Sequence, residues 1–148
     1  EELLDRYYTS VGRNANMLIR MVIDTAGRFP PEDYKQFVAF GKEIKRRFSK
    51  PLAKTHGKGS KVLLTIPGRP DEINHIVIME DISKGERVRK YTIEAWVDNK
   101  WKPICDGISI GHKRIHQFDN ISANKIRLSI AESSDTAQIR SFSAYYVQ

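Results

Sequence analysis

Apolar and polar positions alternate with period two along most of the chain beyond residue 61. Successive side chains of a β-strand point to opposite faces of a sheet, so this alternation predicts strands with one buried face. Turn-forming residues separate the alternating runs at near-regular intervals, with a loop at 67–70 (PGRP), and no helical pattern interrupts them. The predicted strands cover residues 62–66, 73–80, 88–97, 101–105 and 138–147.

The stretch from residue 107 to residue 131 (GISIGHKRIHQFDNISANKIRLSIA) predicts a further hairpin. Ile108 and Ile110 would share one face of its first strand, and Gly111 would form a bulge. Asp119 and Asn120 would form the turn into a second strand over 126–130. Because an isolated two-stranded ribbon is only marginally stable in water, the hairpin must pack on other strands. The pattern therefore predicts a two-layer antiparallel body, a β-sandwich or jelly roll, over residues 62–148.

Residues 1–50 follow different patterns. A short amphipathic helix is predicted over 1–10, and the almost continuously apolar run at 17–23 (MLIRMVI) predicts a strand buried on both faces. An apolar stripe at helical spacing, with Pro31 at the start and three basic residues near the end, predicts a helix over 31–48. The polar stretch at 50–61 (KPLAKTHGKGSK) predicts a linker. We therefore expect three parts, at 1–50, 51–61 and 62–148.

Composition narrows the possible functions. The chain has 148 residues, a formal net charge of +7 and a pI of about 9.6, which permits attraction to nucleic acid. The basic stretch at 42–61, however, has Phe48 as its only stacking aromatic, so a solvated linker is favoured over a nucleic-acid-binding surface. No apolar run approaches the roughly 20 residues of a membrane-spanning helix, so no membrane partner is expected. The single cysteine, Cys105, is predicted to be a buried strand residue.

Two groups of side chains are candidates for binding carbohydrate. Trp96 and Trp101 flank a predicted tight hairpin at 98–100, and aromatic faces bind the apolar side of a pyranose. The alternative is that one or both pack in the core or against another domain. His112, Lys113 and Arg114 form a basic cluster at the predicted bulge, with a domain interface or surface ion pairs as the alternative.

No metal or cofactor site is predicted. The four histidines and Cys105 lack zinc-ligand spacing, and the Gly57-Lys58-Gly59 segment lacks the spacing of a phosphate-binding loop. Asp71, Glu72, Asp81 and Asp119 could supply oxygen atoms to a structural calcium ion, but their spacing is not diagnostic.

Several segments carry a resemblance to a known family. SVGRNANML at 10–18, DISKGERVR at 81–89 and SIGHKRI at 109–115 resemble, in this order along the chain, the C-terminal region of α-L-fucosidases of glycoside hydrolase family 29. The segment at 73–147 also resembles the discoidin, or coagulation-factor C-type, domain, a galactose-binding-like jelly roll. The resemblance implies that 17–24 is the last strand and 31–48 the last helix of a catalytic (β/α) barrel.

The resemblance also implies a fucosylated glycan as substrate and a retaining mechanism. In that family the catalytic carboxyls lie upstream, so no catalytic residue is assigned here and the chain alone is expected to hydrolyse nothing. Asp24, at the end of the predicted barrel strand, is interpreted as a turn former. The chain would brace the missing barrel and bind carbohydrate near it, in a secreted or periplasmic protein. The alternatives are a self-contained carbohydrate-binding module and, least favoured, a nucleic-acid-binding domain.

Overall fold

Residues 1–68 and 71–148, which the computed structural model describes, form two helices followed by eight strands. The chain is therefore mainly β, as the alternation predicted. The elements are α1 (Glu2–Thr9), α2 (Pro31–Phe48), β1 (Ala53–Lys58), β2 (Lys61–Thr65), β3 (Asp71–Glu80), β4 (Val88–Val97), β5 (Lys100–Gly107), β6 (Arg114–Ala123), β7 (Lys125–Ser133) and β8 (Gln138–Tyr145).

The strands form two four-stranded antiparallel sheets. Sheet I has the order β1-β8-β3-β6, and sheet II has the order β2-β7-β4-β5. Consecutive strands lie in different sheets except for β4 and β5, which form a hairpin. The chain thus crosses repeatedly between the layers, which is consistent with a β-sandwich.

The inward faces of both sheets supply one apolar core. Ile76 and Ile78 of sheet I and Ile93 and Leu128 of sheet II are completely buried in it. Burial of an aliphatic side chain of this size contributes about 1.5–3 kcal/mol, so the core sets the register of each strand.

A second, smaller apolar cluster covers the outer face of sheet I. Val77, Ile115 and Tyr145 are buried there beneath Tyr8 of α1 and Phe48 of α2. The Phe48 and Tyr145 rings meet edge to face with their centroids 5.5 Å apart. Helix α1 and the C-terminal end of α2 therefore pack on the sandwich.

Both predicted helices are confirmed, and α2 has the predicted bounds. Pro31 occupies its first turn together with Glu32 and Asp33, and basic residues occupy its last turn. These features match the partial charges of the helix ends. The predicted strands at 62–66, 73–80, 88–97, 101–105 and 138–147 correspond to β2, β3, β4, β5 and β8.

The second strand predicted within 107–131, at 126–130, corresponds to β7, but the predicted hairpin is wrong. Ile108 and Ile110 lie in a loop, where Ile108 is exposed and Ile110 is buried. Asp119 and Asn120 continue β6 instead of turning. Strands β6 and β7 belong to different sheets, because β6 pairs with β3 while β7 pairs with β2 and β4. Each strand satisfies its backbone groups with partners distant in sequence, which local alternation cannot reveal.

The predicted linker at 51–61 is also wrong in its central part. Residues 53–58 form β1 at the edge of sheet I, paired with β8. The half-buried side chains of Ala53 and Thr55 alternate with the exposed side chains of Lys54 and His56. An edge strand with lysines facing solvent is hard to distinguish from a polar linker by composition. Arg69 and Pro70 of the predicted loop lie outside the described residues.

The strand predicted at 17–23 is absent, although all of these residues are described. Leu18 is 97% exposed, and Val22 and Ile23 are more than half exposed. A strand needs a neighbour to pair with its backbone groups, and none of the described strands pairs with this segment.

Candidate functional site

The two tryptophans predicted to bind sugar lie on the outer face of sheet II. Trp96 in β4 and Trp101 in β5 are direct cross-strand partners, with ring centroids 5.2 Å apart and an interplanar angle of 64°. The neighbouring Ala95 points into the core, so Trp96 points away from it. Asp98 and Asn99 have φ of 53° and 58°, as a tight two-residue hairpin requires. The hairpin prediction is confirmed, and the rings are half-buried outside the core.

Three polar side chains that the sequence analysis missed complete this surface. The Arg127 guanidinium lies 4.3 Å from the centroid of the Trp101 ring and donates to both carboxylate oxygens of Glu94, at 2.8 and 2.9 Å. The Ser129 hydroxyl donates to the same carboxylate at 2.7 Å. The hydrogen bond from Arg127 lowers the pKa of Glu94. Glu94 precedes Trp96 by two positions, so the alternation could have placed it on this face.

This arrangement combines an aromatic pair with polar groups held in fixed positions. Arg127 covers one face of Trp101, so a ligand would have to stack on the remaining tryptophan surface. We name these five residues, Trp96, Trp101, Glu94, Arg127 and Ser129, the sheet II platform.

The basic cluster lies at the opposite end of β5. His112 and Lys113 are in the loop after this strand, and Arg114 begins β6. The Lys113 amine donates to the Tyr7 hydroxyl at 3.3 Å and lies 5.8 Å from the centroid of that ring. The backbone N–H of His112 donates to the Asn14 side chain at 2.6 Å. Two residues of the cluster thus attach the loop to the N-terminal segment.

The structure does not bring the two predicted groups together. Trp101 is near the start of β5, and the loop with His112 begins after Gly107, the last residue of that strand. At about 3.3 Å per residue, six residues of strand separate these ends by roughly 20 Å. The tryptophans and the basic cluster therefore belong to two separate sites.

Arg114 lines a polar cleft of about 400 Å³ between α1 and β6. Arg13 lies beside it, because the two residues form an antiparallel backbone bridge. The His116 ring, also in the lining, forms a 2.8 Å hydrogen bond with the buried Tyr91 hydroxyl. Burial, reinforced by the charge of Arg114, lowers the pKa of His116 to about 4, so it is neutral at physiological pH. Asp5 is the one carboxylate in the lining.

A second buried histidine links the helices to sheet I. The Tyr8 hydroxyl lies 2.9 Å from Nε2 of His75, and the Arg47 guanidinium donates to the same hydroxyl at 3.1 Å. The other ring nitrogen of His75 lies 2.8 Å from the Asn74 side-chain oxygen. Burial, with the nearby Arg47 charge, lowers the pKa of His75 to about 4. These contacts join α1, α2 and β3 in one polar network.

Asp24 is a turn former, as predicted. One of its carboxylate oxygens accepts hydrogen bonds from the backbone N–H groups of Ala26 and Arg28, both at 2.8 Å. Cys105 lies in a strand, β5, as predicted, but it is half-buried against the core where full burial was expected. Its partial burial raises the pKa of its thiol to about 12. Its thiolate is therefore scarce at neutral pH, which disfavours a nucleophilic role.

Asp81 and Asp119 are two of the four acidic residues considered above as oxygen ligands for calcium. Asp81 accepts a hydrogen bond from the backbone N–H of Ser83 at 3.1 Å, and this bond lowers the pKa of Asp81. Asp119 lies exposed in the middle of β6, away from any turn. Within residues 1–68 and 71–148, no three histidine, cysteine or acidic side chains are grouped so as to hold a metal ion; the side chain of Asp71 lies outside this description.

Neither helix in the described residues is long and apolar enough to cross a membrane.

No family model matches the chain. It is, however, 27% identical over 162 residues to a protein of Oryza sativa subsp. japonica that is assigned as an α-L-fucosidase. That match covers 86% of this chain and 31% of the rice protein.

Solved structures give closer matches. A protein of Bacteroides thetaiotaomicron VPI-5482, assigned as an α-L-fucosidase, is 41% identical with a TM-score of 0.95, covering 99% of this chain and 34% of the other. A glycoside hydrolase 29 family member from an unknown rumen bacterium is 33% identical with a TM-score of 0.88, covering 99% and 28%. The homologues and structural neighbours are thus α-L-fucosidases of glycoside hydrolase family 29. The chain spans about a third of their length.

Proposed function

We propose that this chain is part of an α-L-fucosidase of glycoside hydrolase family 29, in which it braces a catalytic unit outside these 148 residues. The observation that carries the proposal is the 41% identity and TM-score of 0.95 over 99% of the chain, against 34% of the matched protein. A similarity that spans one whole chain and a third of the other is what a portion of a longer enzyme would give.

The catalytic carboxyls would lie in the remainder of that protein. A retaining glycosidase needs two carboxyl groups about 5 Å apart, one as nucleophile and one as acid and base. Asp24, the acidic residue nearest to a predicted barrel strand end, is occupied by backbone hydrogen bonds to Ala26 and Arg28. This chain would therefore support hydrolysis of terminal α-L-fucose without taking part in its chemistry.

Exposed apolar side chains supply the surface for bracing. Most of the large apolar side chains exposed in the described residues fall in one segment, which we name the apolar segment: Leu18, Met21, Val22, Ile23, Phe29, Tyr34 and Val38. Exposure of so many large apolar groups in one segment is unusual for a free surface and is typical of an interaction surface. A cavity of about 580 Å³ adjoins it between α1 and α2, lined in part by Met21, Phe37 and Phe40.

We further propose that the apolar segment and α2 complete a (β/α) barrel, with 17–24 as its last strand and α2 as its last helix. In the chain alone, 17–23 lacks strand neighbours, and the side chains of Tyr34 and Val38 face solvent. Neighbouring barrel elements would pair with the backbone of 17–23 and would also cover the side chains of Tyr34 and Val38. The sandwich would then be the galactose-binding-like jelly roll that follows the barrel.

The sheet II platform is the proposed contact for fucosylated glycan. Trp96 and Trp101 provide the aromatic surface, and Glu94, Arg127 and Ser129 provide donors and acceptors for hydroxyl groups. Holding a glycan close to the catalytic unit would raise its local concentration without changing the chemical step. Of the predicted basic cluster, Arg114 faces the cleft, whereas Lys113 is occupied at the interface with α1.

One set of assays tests bracing and glycan binding together. The parent protein, as wild type and as Ile23→Asp and Trp101→Ala variants, is assayed on an aryl α-L-fucoside and on a fucosylated oligosaccharide. Ile23→Asp should lower the melting temperature and activity on both substrates, because it places a charge in the barrel contact. Trp101→Ala should raise KM about tenfold for the oligosaccharide and leave KM for the aryl fucoside unchanged. The size of the effect is taken by analogy from a nucleic-acid base stacked on an aromatic side chain, which contributes about 1–3 kcal/mol.

Ile108→Asp is the matched control, because Ile108 is 76% exposed and lies outside the apolar segment. It should leave both activities near wild type. Absence of fucoside hydrolysis by the parent, or hydrolysis by the 148-residue chain alone, would contradict the proposal. Equal KM values for wild type and Trp101→Ala on the oligosaccharide would show that the sheet II platform does not bind the glycan. Bracing would then be the remaining role of the chain.

A further inference from the structure

The cleft between α1 and β6 has a charge imbalance that the proposed function does not explain. Its lining includes Asp5 and Thr9 from α1, Arg13 from the following turn, and Arg114 and Gln117 from β6. Its volume of about 400 Å³ lies within the usual range of small-molecule sites, roughly 300–1,000 Å³.

The two arginines of this cleft lack a carboxylate partner. Most arginines in the described residues are paired with a carboxylate within 4.0 Å: Arg6, Arg28, Arg46, Arg47, Arg87 and Arg127. No such pair involves Arg13 or Arg114 in the described part of the chain, even though Asp5 lines the same cleft. Arg114 is also partly withdrawn from solvent. No carboxylate within 4.0 Å compensates its charge in the described residues, although its side chain also interacts with the Tyr91 hydroxyl.

Backbone pairing holds these two side chains side by side. The bridge between Arg13 and Arg114 joins the turn after α1 to the first residue of β6, and the Ile115 N–H donates to the Gly12 carbonyl at 2.9 Å. Like charges on neighbouring, directly opposed backbone positions repel each other, which is unfavourable unless an anion lies between them. Guanidinium groups are well suited to this role, because each can donate two parallel hydrogen bonds to an oxyanion.

We infer that the cleft between α1 and β6 binds an oxyanion, a carboxylate or sulfate group, with Arg13 and Arg114 as its ligands. The lining carries two positive charges and one negative charge, since His116 is neutral at physiological pH. Asp5 would then accept hydrogen bonds from hydroxyl groups beside the anion, and Gln117 would accept hydrogen bonds from them or donate hydrogen bonds to them. This site lies apart from the sheet II platform, and the inference does not depend on the fucosidase proposal.

Titration calorimetry on the intact protein tests the inference. The probes are sodium sulfate, sodium acetate, and a sulfated and a uronic-acid disaccharide with their neutral parent sugars, all at ionic strength held constant with chloride because surface charges are screened by salt. Arg114→Gln should weaken binding of the anionic probes about tenfold or more, as expected for loss of a hydrogen-bonded charged group. Asp5→Asn should strengthen binding of sulfate, because it removes the opposing charge.

Arg140→Gln is the charge-matched control. Arg140 is exposed on β8, and its guanidinium contacts the Met79 sulfur at 3.8 Å. Its replacement should leave binding within about twofold of wild type, because an exposed, distant charge contributes little.

Two outcomes support the inference and differ in the source of the anion. Equal affinity for sulfate and for the acidic disaccharides indicates a site for free oxyanions, whereas tighter binding of the disaccharides indicates an acidic glycan. No binding of any anionic probe, or equal losses in Arg114→Gln and Arg140→Gln, would overturn it. Circular dichroism of each variant verifies the fold. If Arg114→Gln does not fold, the affinity of Asp5→Asn for sulfate tests the site instead.

Discussion

Two histidines, the buried His75 and the half-buried His116, each form a hydrogen bond with a tyrosine. Their partners are the hydroxyls of Tyr8 and Tyr91, at 2.9 and 2.8 Å. Desolvation penalises the charged imidazolium, and nearby arginines add to this effect, so both pKa values fall from 6.5 to about 4. Both rings are therefore neutral in the folded protein at physiological pH.

The first prediction concerns pH. Between about pH 6.5 and pH 4 the unfolded chain binds more protons than the folded chain at these two positions. Their contribution to the free energy of unfolding is complete above pH 6.5 and decreases as the pH falls towards 4, by at most about 1.4 kcal/mol per pH unit for each histidine. Urea unfolding from pH 7.5 to pH 4 measures this slope.

His75→Gln should reduce the slope, because only one of the two buried rings then remains. His56→Gln, which removes an exposed histidine from β1, is the matched control. A free energy of unfolding that stays constant from pH 6.5 to pH 4.5 would contradict the assigned protonation states.

At the scale of elements, the loop between β5 and β6 is fitted to the turn after α1. Gly111 has a φ of +62°, and a Cβ atom there would overlap the side chain of Asn14. Asn14 itself has a φ of +67° and donates its backbone N–H to the Lys113 carbonyl at 2.9 Å. Its side chain also donates to Glu86 at 2.7 Å. The loop and the turn therefore fix each other's backbone conformation.

The second prediction compares two glycines. Gly111→Ala should destabilise the protein by roughly 1–3 kcal/mol, because it combines left-handed strain with a steric overlap. Gly41→Ala should stabilise it by about 0.5–1 kcal/mol, since Gly41 lies within α2 and an added Cβ there meets no atom within 4 Å. Chemical denaturation of both variants measures the two changes. A stabilising Gly111→Ala would show that the loop does not hold this conformation in solution.

On the scale of the whole molecule, the apolar residues are unevenly distributed. The sandwich buries its core between two sheets, whereas the segment between residues 18 and 38 leaves most of its large apolar side chains in water. Phe40 and Phe48, nearer the end of α2, are in contact with aromatic rings of α1. The sandwich with α1 and the end of α2 thus has its own core, and the apolar segment lacks a covering layer.

The third prediction concerns the 148-residue chain in isolation. It should bind a hydrophobic dye such as anilinonaphthalene sulfonate and self-associate as its concentration rises, because the apolar segment stays exposed. A Leu18→Gln and Ile23→Gln double variant should lose most of the dye signal, whereas Ile108→Gln should retain it. Fluorescence titration and sedimentation velocity measure both properties. A monomeric chain that binds no dye would favour a self-contained carbohydrate-binding module instead.

The sequence determined those elements that depend on local physical chemistry. The amphipathic stripe, Pro31 and the charges at each end fixed α2, and the Asp98-Asn99 turn fixed the β4–β5 hairpin, because capping and turn geometry involve neighbouring residues. Period-two alternation identified six of the strands, β2, β3, β4, β5, β7 and β8. The three family motifs, in their order along the chain, also indicated the resemblance to α-L-fucosidases.

Only the tertiary structure decided which strands are neighbours and which side chains meet. The predicted hairpin at 107–131 became two strands in different sheets, and the predicted linker became edge strand β1, since backbone pairing depends on partners far along the chain. The proximity of Arg13 to Arg114, and of Arg127 to Trp101, likewise arises from long-range pairing that no local pattern encodes. Local interactions select helices and turns, but the burial of both sheets against each other selects the register and therefore the sites.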